Sequence, residues 1–187
     1  GLNPMFLFIS ASANNDNMVS LLATWTLVGL VMVLARGGAT WRQLAVLGMM
    51  IGLASLAKLS GLALGPLAAV ALLLARLKRL THGTAAGPTA ALRRLSRQEW
   101  LIEARRYLLE TAFLIAVAAA VGAWWYLRNW RLYGDPSGLA TMLEIFGRRK
   151  SAPGLVGLLR EFEGFRISYW GLFGVVNVLL KPSWVYR

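Results

Sequence analysis

Four apolar stretches, residues 17–36, 41–57, 62–77 and 107–127, recur along this chain, with charged residues gathered between them. A helix crossing a bilayer core needs about 20 apolar residues at roughly 1.5 Å rise each. Each stretch comes near that length. Residues 41–77 taken as one helix would be far too long for a bilayer. Lys58-Leu59-Ser60-Gly61 supplies a tight turn inside it, so the segment reads as a helical hairpin. Hydrocarbon satisfies no backbone polar group, and each span must therefore bond to itself as a helix. The expected fold class is all-α, a polytopic transmembrane helical bundle.

The chain is 57% hydrophobic yet carries a net charge of +12. A basic chain often binds nucleic acid. Here Lys and Arg sit between apolar stretches, which is the placement of membrane-flanking charge, and no nucleic-acid partner is expected. There are no cysteines, so disulfides, thiolate chemistry and cysteine metal sites are excluded. The single histidine, His82, falls in a polar connector, so no pair of histidines exists to share a metal or a proton.

Residues 1–79 hold the first three spans. Residues 80–106 form a polar connector: Thr81–Ala91 is rich in Gly, Ala, Thr and Pro, and Arg93–Arg106 suits an amphipathic surface helix with Leu92, Leu95, Trp100, Leu101 and Ile102 apolar. The fourth span, 107–127, opens with Glu110 one turn after Arg106, a local pair that lowers the cost of the carboxylate. Residues 128–187 read as an extracytoplasmic or interfacial segment. A turn is expected at Gly134-Asp135-Pro136-Ser137 and short helices at 138–146 and 154–162. An apolar, re-entrant or interfacial stretch is expected at 165–180, before a further span. Both ends read as internal to a longer protein.

Orientation follows from charge. Arg36, Arg42, Arg76, Lys78, Arg79, Arg93, Arg94, Arg97, Arg105 and Arg106 all fall on one side of these spans, which the positive-inside rule makes cytoplasmic. Asp16, Lys58 and Arg128 then fall on the opposite face, where a polar or anionic ligand is expected.

Three groups are candidates for chemistry. Asp16 stands beside Asn14, Asn15 and Asn17 at a helix start. These residues cap helices, and a carboxylate among amides also suits a sugar hydroxyl or a divalent metal ion. Lys58 at a helix end fits a snorkelling lysine, and equally an ammonium beside a lipid-linked phosphate. Arg128 and Arg131 follow Trp124, Trp125, Tyr126 and Trp130. The aromatics are an interface belt. The arginines add positive charge where that rule predicts little, which fits an anionic ligand or anionic lipid. Gly48-x-x-x-Gly52 and Gly61-x-x-x-Gly65 are spacings that let helices approach closely. Glu161 and Glu163, two residues apart, do not share a helix face and read as solvated.

Asn3-Pro4-Met5-Phe6-Leu7-Phe8-Ile9-Ser10 through Asn14-Asn15-Asp16-Asn17, then a span, then Gly52-Leu53-Ala54-Ser55-Leu56-Ala57-Lys58-Leu59-Ser60-Gly61, resembles the core of bacterial GT-C superfamily glycosyltransferases. The likeness is to the family 39-like, protein-mannosyltransferase-related membrane proteins. Trp124-Trp125-Tyr126-Leu127-Arg128-Asn129 with Tyr133-Gly134-Asp135-Pro136, and Ser168-Tyr169-Trp170-Gly171-Leu172-Phe173-Gly174, resemble later segments of the same family. The resemblance implies inverting transfer of a sugar from a polyprenyl-phosphate donor to an acceptor glycan, lipid or protein, at the extracytoplasmic face of a bacterial inner membrane. It implies a catalytic base in a loop preceding residue 1, a supporting role for Asp16, and donor-phosphate contacts from Lys58 and Arg128, with a divalent metal ion as a conceivable cofactor. A transporter or flippase for a lipid-linked sugar, and a non-catalytic structural membrane protein, are the alternative readings.

Overall fold

The computed structural model describes residues 3–12, 14–81, 96–147, 154–173 and 178–179. Its elements in chain order are α1 (Pro4–Ser10), α2 (Asn15–Arg36), α3 (Trp41–Ala57), a 3-10 turn (Leu59–Ala63), α4 (Leu64–Thr81), α5 (Arg97–Tyr133), α6 (Leu139–Phe146), α7 (Leu155–Gly171), β1 (Leu172–Phe173) and β2 (Val178–Leu179). They fall into two compact units, Met18–Gly138 and the pair Gly1–Asn17 with Leu139–Arg187.

Among the described residues, three helical segments are long and apolar enough to cross a membrane: α2, the 3-10 turn with α4, and α5. The α3 helix is apolar but shorter. Large apolar side chains on them stay uncovered by protein, among them Trp25, Val31, Leu108 and Ile115, each more than half exposed. Apolar surface on that scale marks contact with lipid or another protein.

Local sequence sets the helix ends. At the start of α3 the Thr40 hydroxyl accepts from the Gln43 N–H, while the Gln43 amide oxygen accepts from the Thr40 N–H. Ser96 and Glu99 repeat this reciprocal arrangement at α5. Each box satisfies two helix-start donors that would otherwise be unpaired. At its far end α5 stops on Gly134, whose φ of 69° suits a residue without Cβ and whose N–H reaches the Trp130 carbonyl. Ser96→Ala is expected to cost about 1 kcal/mol and fray the first turn of α5, visible as faster amide exchange over residues 97–100.

The unbroken length of α5 differs from the sequence expectation. A surface helix ending at Arg106 and a separate span at 107–127 were expected; one helix runs from Arg97 to Tyr133. No Gly or Pro lies between Arg97 and Val121, so nothing interrupts the hydrogen-bond ladder where the chain turns apolar. At 1.5 Å per residue its 37 residues extend about 55 Å, well beyond a hydrocarbon core of about 30 Å. The third stretch also shifts: a 3-10 turn takes up Leu59–Ala63, and α4 runs on to Thr81. Of the flexible connector expected over Thr81–Ala91, Thr81 is the last residue of α4, and residues 82–91, with Arg93 and Arg94, lie outside the described residues.

The core of the Met18–Gly138 unit is built from small and branched side chains. Leu30 and Val33 of α2, Leu44, Leu47, Ile51 and Ala54 of α3, Ala68, Ala71, Leu72 and Ala75 of α4, and Leu114 of α5 form one cluster. The α3–α5 contact is close because three glycines stand in it. A Cβ on Gly48 would lie 2.7 Å from the Leu114 carbonyl oxygen, and one on Gly52 2.7 Å from that of Ala118. One on Gly122 would meet the Ser55 hydroxyl at 2.7 Å. The expected close-packing spacing at Gly48 and Gly52 is therefore used. At Gly61 the crowding comes from the Ala54 carbonyl of the preceding helix, and Gly65 has nothing within 4 Å of its Cβ position, so that second spacing does not pack two helices.

Charge fastens α4 to α5. Arg76 of α4, 6% exposed, donates from one guanidinium nitrogen to the Glu103 carboxylate and from the other to Glu110 at 2.7 Å. Arg79 donates to Glu103 at 2.8 Å. Glu110 was expected to pair with Arg106 along its own helix; it pairs across helices with Arg76 instead. The rotation of α5 about its axis turns Glu110 toward α4, and a buried guanidinium there offers a stronger, less hydrated partner than an exposed one.

In the other unit, Asn3 caps α1 by accepting from the Phe6 N–H at 2.9 Å, and its amide donates to the Tyr169 carbonyl of α7 at 2.9 Å. Phe8 packs edge-on against Phe173 with ring centroids 5.3 Å apart. The strands pair antiparallel, Leu172 with Leu179 and Phe173 with Val178. Helices were expected at 138–146 and 154–162; α6 matches the first, whereas α7 continues to Gly171 and takes in the start of the expected re-entrant stretch. Residues 148–153, 174–177 and 180–187 lie outside the described residues.

Candidate functional site

The 3-10 turn folds back beneath the end of α3. Lys58 leaves the helix in an extended conformation, its N–H still bonded to the Ala54 carbonyl at 3.0 Å. The Gly61 N–H then reaches the Lys58 carbonyl at 2.9 Å. A Cβ on Gly61 would stand 2.4 Å from the Ala54 carbonyl, so the turn closes this tightly only because residue 61 has none. The result holds Lys58 at a corner, between a helix end and a helix start.

One hydrogen bond brings the aromatic end of α5 to this corner. The Tyr126 hydroxyl donates to the Ser55 carbonyl at 2.6 Å, while the Ser55 hydroxyl donates to the Gly52 carbonyl at 2.7 Å. Ser55 lies three residues before Lys58, and Tyr126 two before Arg128. The Arg128 guanidinium lies over the Trp125 ring, 5.5 Å from its centroid, and Trp125 packs edge-on against Trp124 at 5.8 Å. That cation–π contact orients a charge on an otherwise apolar end. Arg131 occupies the last turn of α5, where a cation favours the negative end of the helix. Beyond it Asp135 accepts from the Ser137 N–H and hydroxyl, both at 2.9 Å, which forms the expected turn.

Below this end a cleft of about 580 Å³ runs between the 3-10 turn and α4 on one side and α5 on the other. Leu62, Pro66, Ala119, Gly122, Ala123 and Leu127 give its walls their character; Ser55 and Tyr126 add hydroxyls, and no carboxylate or cation lines it. Its room comes from small residues: Gly65, Ala69, Ala118 and Ala119 stand where larger side chains would meet. Lys58, Arg128 and Arg131 do not line the cleft; they sit beside residues that do. The arrangement is an apolar cleft whose lining residues Ser55, Leu127 and Trp130 lie close in the chain to Lys58, Arg128 and Arg131.

The chain matches no protein-family model, no curated protein and no solved structure. What the site can do therefore follows from its geometry.

Asn14, Asn15 and Asp16 belong to the other unit. Asn14 is the cap of α2: its side-chain oxygen accepts from the Asp16 N–H at 2.9 Å and the Asn17 N–H at 3.3 Å, and its amide donates to the Ser12 hydroxyl at 2.7 Å. The Asn17 amide donates to the Ser12 carbonyl at 2.6 Å. Two of the three amides thus build the helix start, and Asp16 places its carboxylate in the first turn, at the positive end of the dipole. Among the described residues no group of three or more His, Asp or Glu side chains gathers to hold a metal ion. One carboxylate among amides engaged in capping is a thin donor set for a hard cation that takes about six oxygens.

Sequence reasoning missed Ser55 and Gly122. Both are buried small residues inside apolar stretches, with no polar neighbour to single them out. Tyr126 was assigned to the interface belt with the tryptophans. Its phenol, like the indole N–H groups beside it, can donate to a backbone carbonyl left unpaired at a helix end, and that was the available signal.

Proposed function

We propose that this chain forms the donor-lipid-binding helices of a polytopic membrane glycosyltransferase of the GT-C type, acting on a polyprenyl-phosphate-linked sugar at the extracytoplasmic face of a bacterial inner membrane. The observation that carries the reading is the apolar cleft, whose lining residues Ser55, Leu127 and Trp130 lie within three residues of Lys58, Arg128 and Arg131 in the chain. An isoprenoid tail needs a dry slot open to the bilayer, and its phosphate needs cations where the slot meets water. As the sugar–phosphate bond breaks, negative charge grows on the departing phosphate, and cations fixed nearby stabilise that change. Tyr126, held by Ser55, keeps the mouth of the slot in register with the corner that carries Lys58. Transfer also needs a base to deprotonate the acceptor hydroxyl. Asp16 is proposed as a supporting acidic residue, and the cleft lining itself holds no carboxylate.

That last point favours a second reading, a carrier that moves the lipid-linked sugar across the membrane without cleaving it. Both readings share the donor-binding step. In the chain purified in detergent, a photoreactive polyprenyl phosphate is expected to bind saturably and to crosslink to α5 between Ala119 and Leu127. Lys58→Gln and Arg128→Gln are each expected to weaken binding about tenfold, the loss of one charge-assisted contact. Ala119→Trp fills the slot and abolishes crosslinking. Binding unchanged in all three variants would end the proposal. In proteoliposomes, sugar appearing on an acceptor supports the transferase, with Asp16→Asn lowering transfer while donor binding persists. Intact donor crossing the bilayer supports the carrier.

A further inference from the structure

We propose that the opposite end of the Met18–Gly138 unit holds a second, polar site for a phosphate group, separate from the donor cleft and independent of the reading given to it. Glu110 and Tyr126 mark the two ends along α5; Tyr126 lies 16 positions beyond Glu110, about 24 Å at 1.5 Å per residue. A cavity of about 290 Å³ opens there between the α2–α3 turn, the last turns of α4 and α5, lined by Arg36, Gly38, Thr40, Gln43, Arg76 and Arg79 among others, with Glu110 its one acid.

The charge balance shows what it lacks. The acids of this unit are Glu99, Glu103, Glu110 and Asp135. Glu99 is bonded to Ser96, Asp135 to Ser137, and Glu103 and Glu110 to Arg76 and Arg79. Lys78 is spent on the Leu34 and Ala35 carbonyls at the end of α2. Arg36, exposed at the cavity rim, pairs with none of these acids. Of the residues that line the cavity, Arg36, Arg76 and Arg79 stand against Glu110 alone, an excess of two positive charges, of which Glu103, bonded to Arg76 and Arg79 from outside the lining, offsets one. Arg79, 44% exposed on its side chain, keeps one face open to the cavity. A guanidinium pair across a pocket matches a phosphate better than a chloride or a lone carboxylate, because its forked donors meet several oxygens at once. Gly38 floors the site with nothing within 4 Å of its Cβ position, so an oxygen-rich group has room to approach the turn.

The phosphate could be free in solution or carried on an anionic lipid, and the test separates the two. The purified full chain in detergent is titrated with inorganic phosphate, with a short-chain phosphatidate and with a short-chain phosphatidylcholine, and one-to-one adducts are followed by native mass spectrometry. Phosphatidate is expected to saturate at one equivalent and phosphatidylcholine to bind far more weakly. Displacement of phosphatidate by inorganic phosphate assigns recognition to the phosphate itself; resistance to displacement assigns it to the lipid. Arg36→Gln lowers affinity about tenfold, and Gly38→Asp, which sets a carboxylate in open space, abolishes the adduct. Neither change touches the core, so both variants are expected to fold. Arg97→Gln, an exposed arginine away from the cavity, leaves the affinity unchanged. Unaltered affinity in Arg36→Gln and Gly38→Asp, or an equal loss in Arg97→Gln, would reduce the site to general surface attraction and overturn the proposal.

Discussion

Arg76→Ala is expected to destabilise the Met18–Gly138 unit by about 3–5 kcal/mol, the cost of removing one partner from a buried ion pair. Arg76 is 6% exposed, and the side chains of Glu103 and Glu110 are 17% and 19% exposed. Without the guanidinium, Glu110 stays part-buried with its cross-helix partner gone, while Glu103 keeps Arg79. The single change Glu110→Gln should cost less, because Gln still accepts from the Arg76 guanidinium. Replacing the whole network, Arg76→Met with Glu103→Leu and Glu110→Leu, should recover most of the loss, since no charge is then left buried alone. Thermal unfolding in one detergent, followed by tryptophan fluorescence, ranks the three. A triple variant less stable than Arg76→Ala would mean that the network contributes net stability beyond its own desolvation cost.

The second large effect lies where α3 crosses α5. Gly52→Leu should prevent the two helices from closing, because its Cβ would meet the Ala118 carbonyl oxygen and the Val121 Cβ, both at 2.7 Å. Neither is the far end of a flexible side chain, so the backbone itself must move. Overpacking of this kind costs about 1–3 kcal/mol where the surroundings yield, and more where they do not. Gly48→Leu should behave alike. Gly65→Ala, at the other small-residue spacing, should be neutral or stabilising by up to about 1 kcal/mol, since it has free space and alanine is the better helix former. Engineered cysteines facing each other across α3 and α5 would report the outcome: crosslinking lost in Gly52→Leu and kept in Gly65→Ala. Crosslinking retained in both would mean that α3 and α5 are held by something other than their glycines.

The two effects differ in how far the sequence announced them. The Gly48 and Gly52 spacing was visible as a motif, yet the same motif at Gly61 and Gly65 does something else. Spacing records which residues share a helix face but not which face meets a neighbour. Glu110 shows the same limit. Its i,i+4 relation to Arg106 is local and readable, whereas its actual partner, Arg76, stands 34 residues away. At the candidate site, Lys58, Arg128 and Arg131 were legible as charges out of place beside apolar runs. The Ser55–Tyr126 hydrogen bond that ties their ends together was not, because neither residue is unusual where it stands.

Local chemistry was enough to place α3 at Trp41–Ala57 to the residue and to find the apolar stretches, since the length of an apolar run and the glycine-containing breaks that bound it act within a few residues. The same local chemistry ended the fourth stretch too early, for lack of any helix breaker that would mark where α5 leaves an apolar environment. Only the tertiary structure decided which face of each helix turns inward, and with it the Arg76 network, the close crossing at Gly48 and Gly52, and the apolar cleft beside Tyr126. Those depend on the rotation of one helix against another, which is fixed by contacts between residues far apart in the chain and not by any short stretch of it.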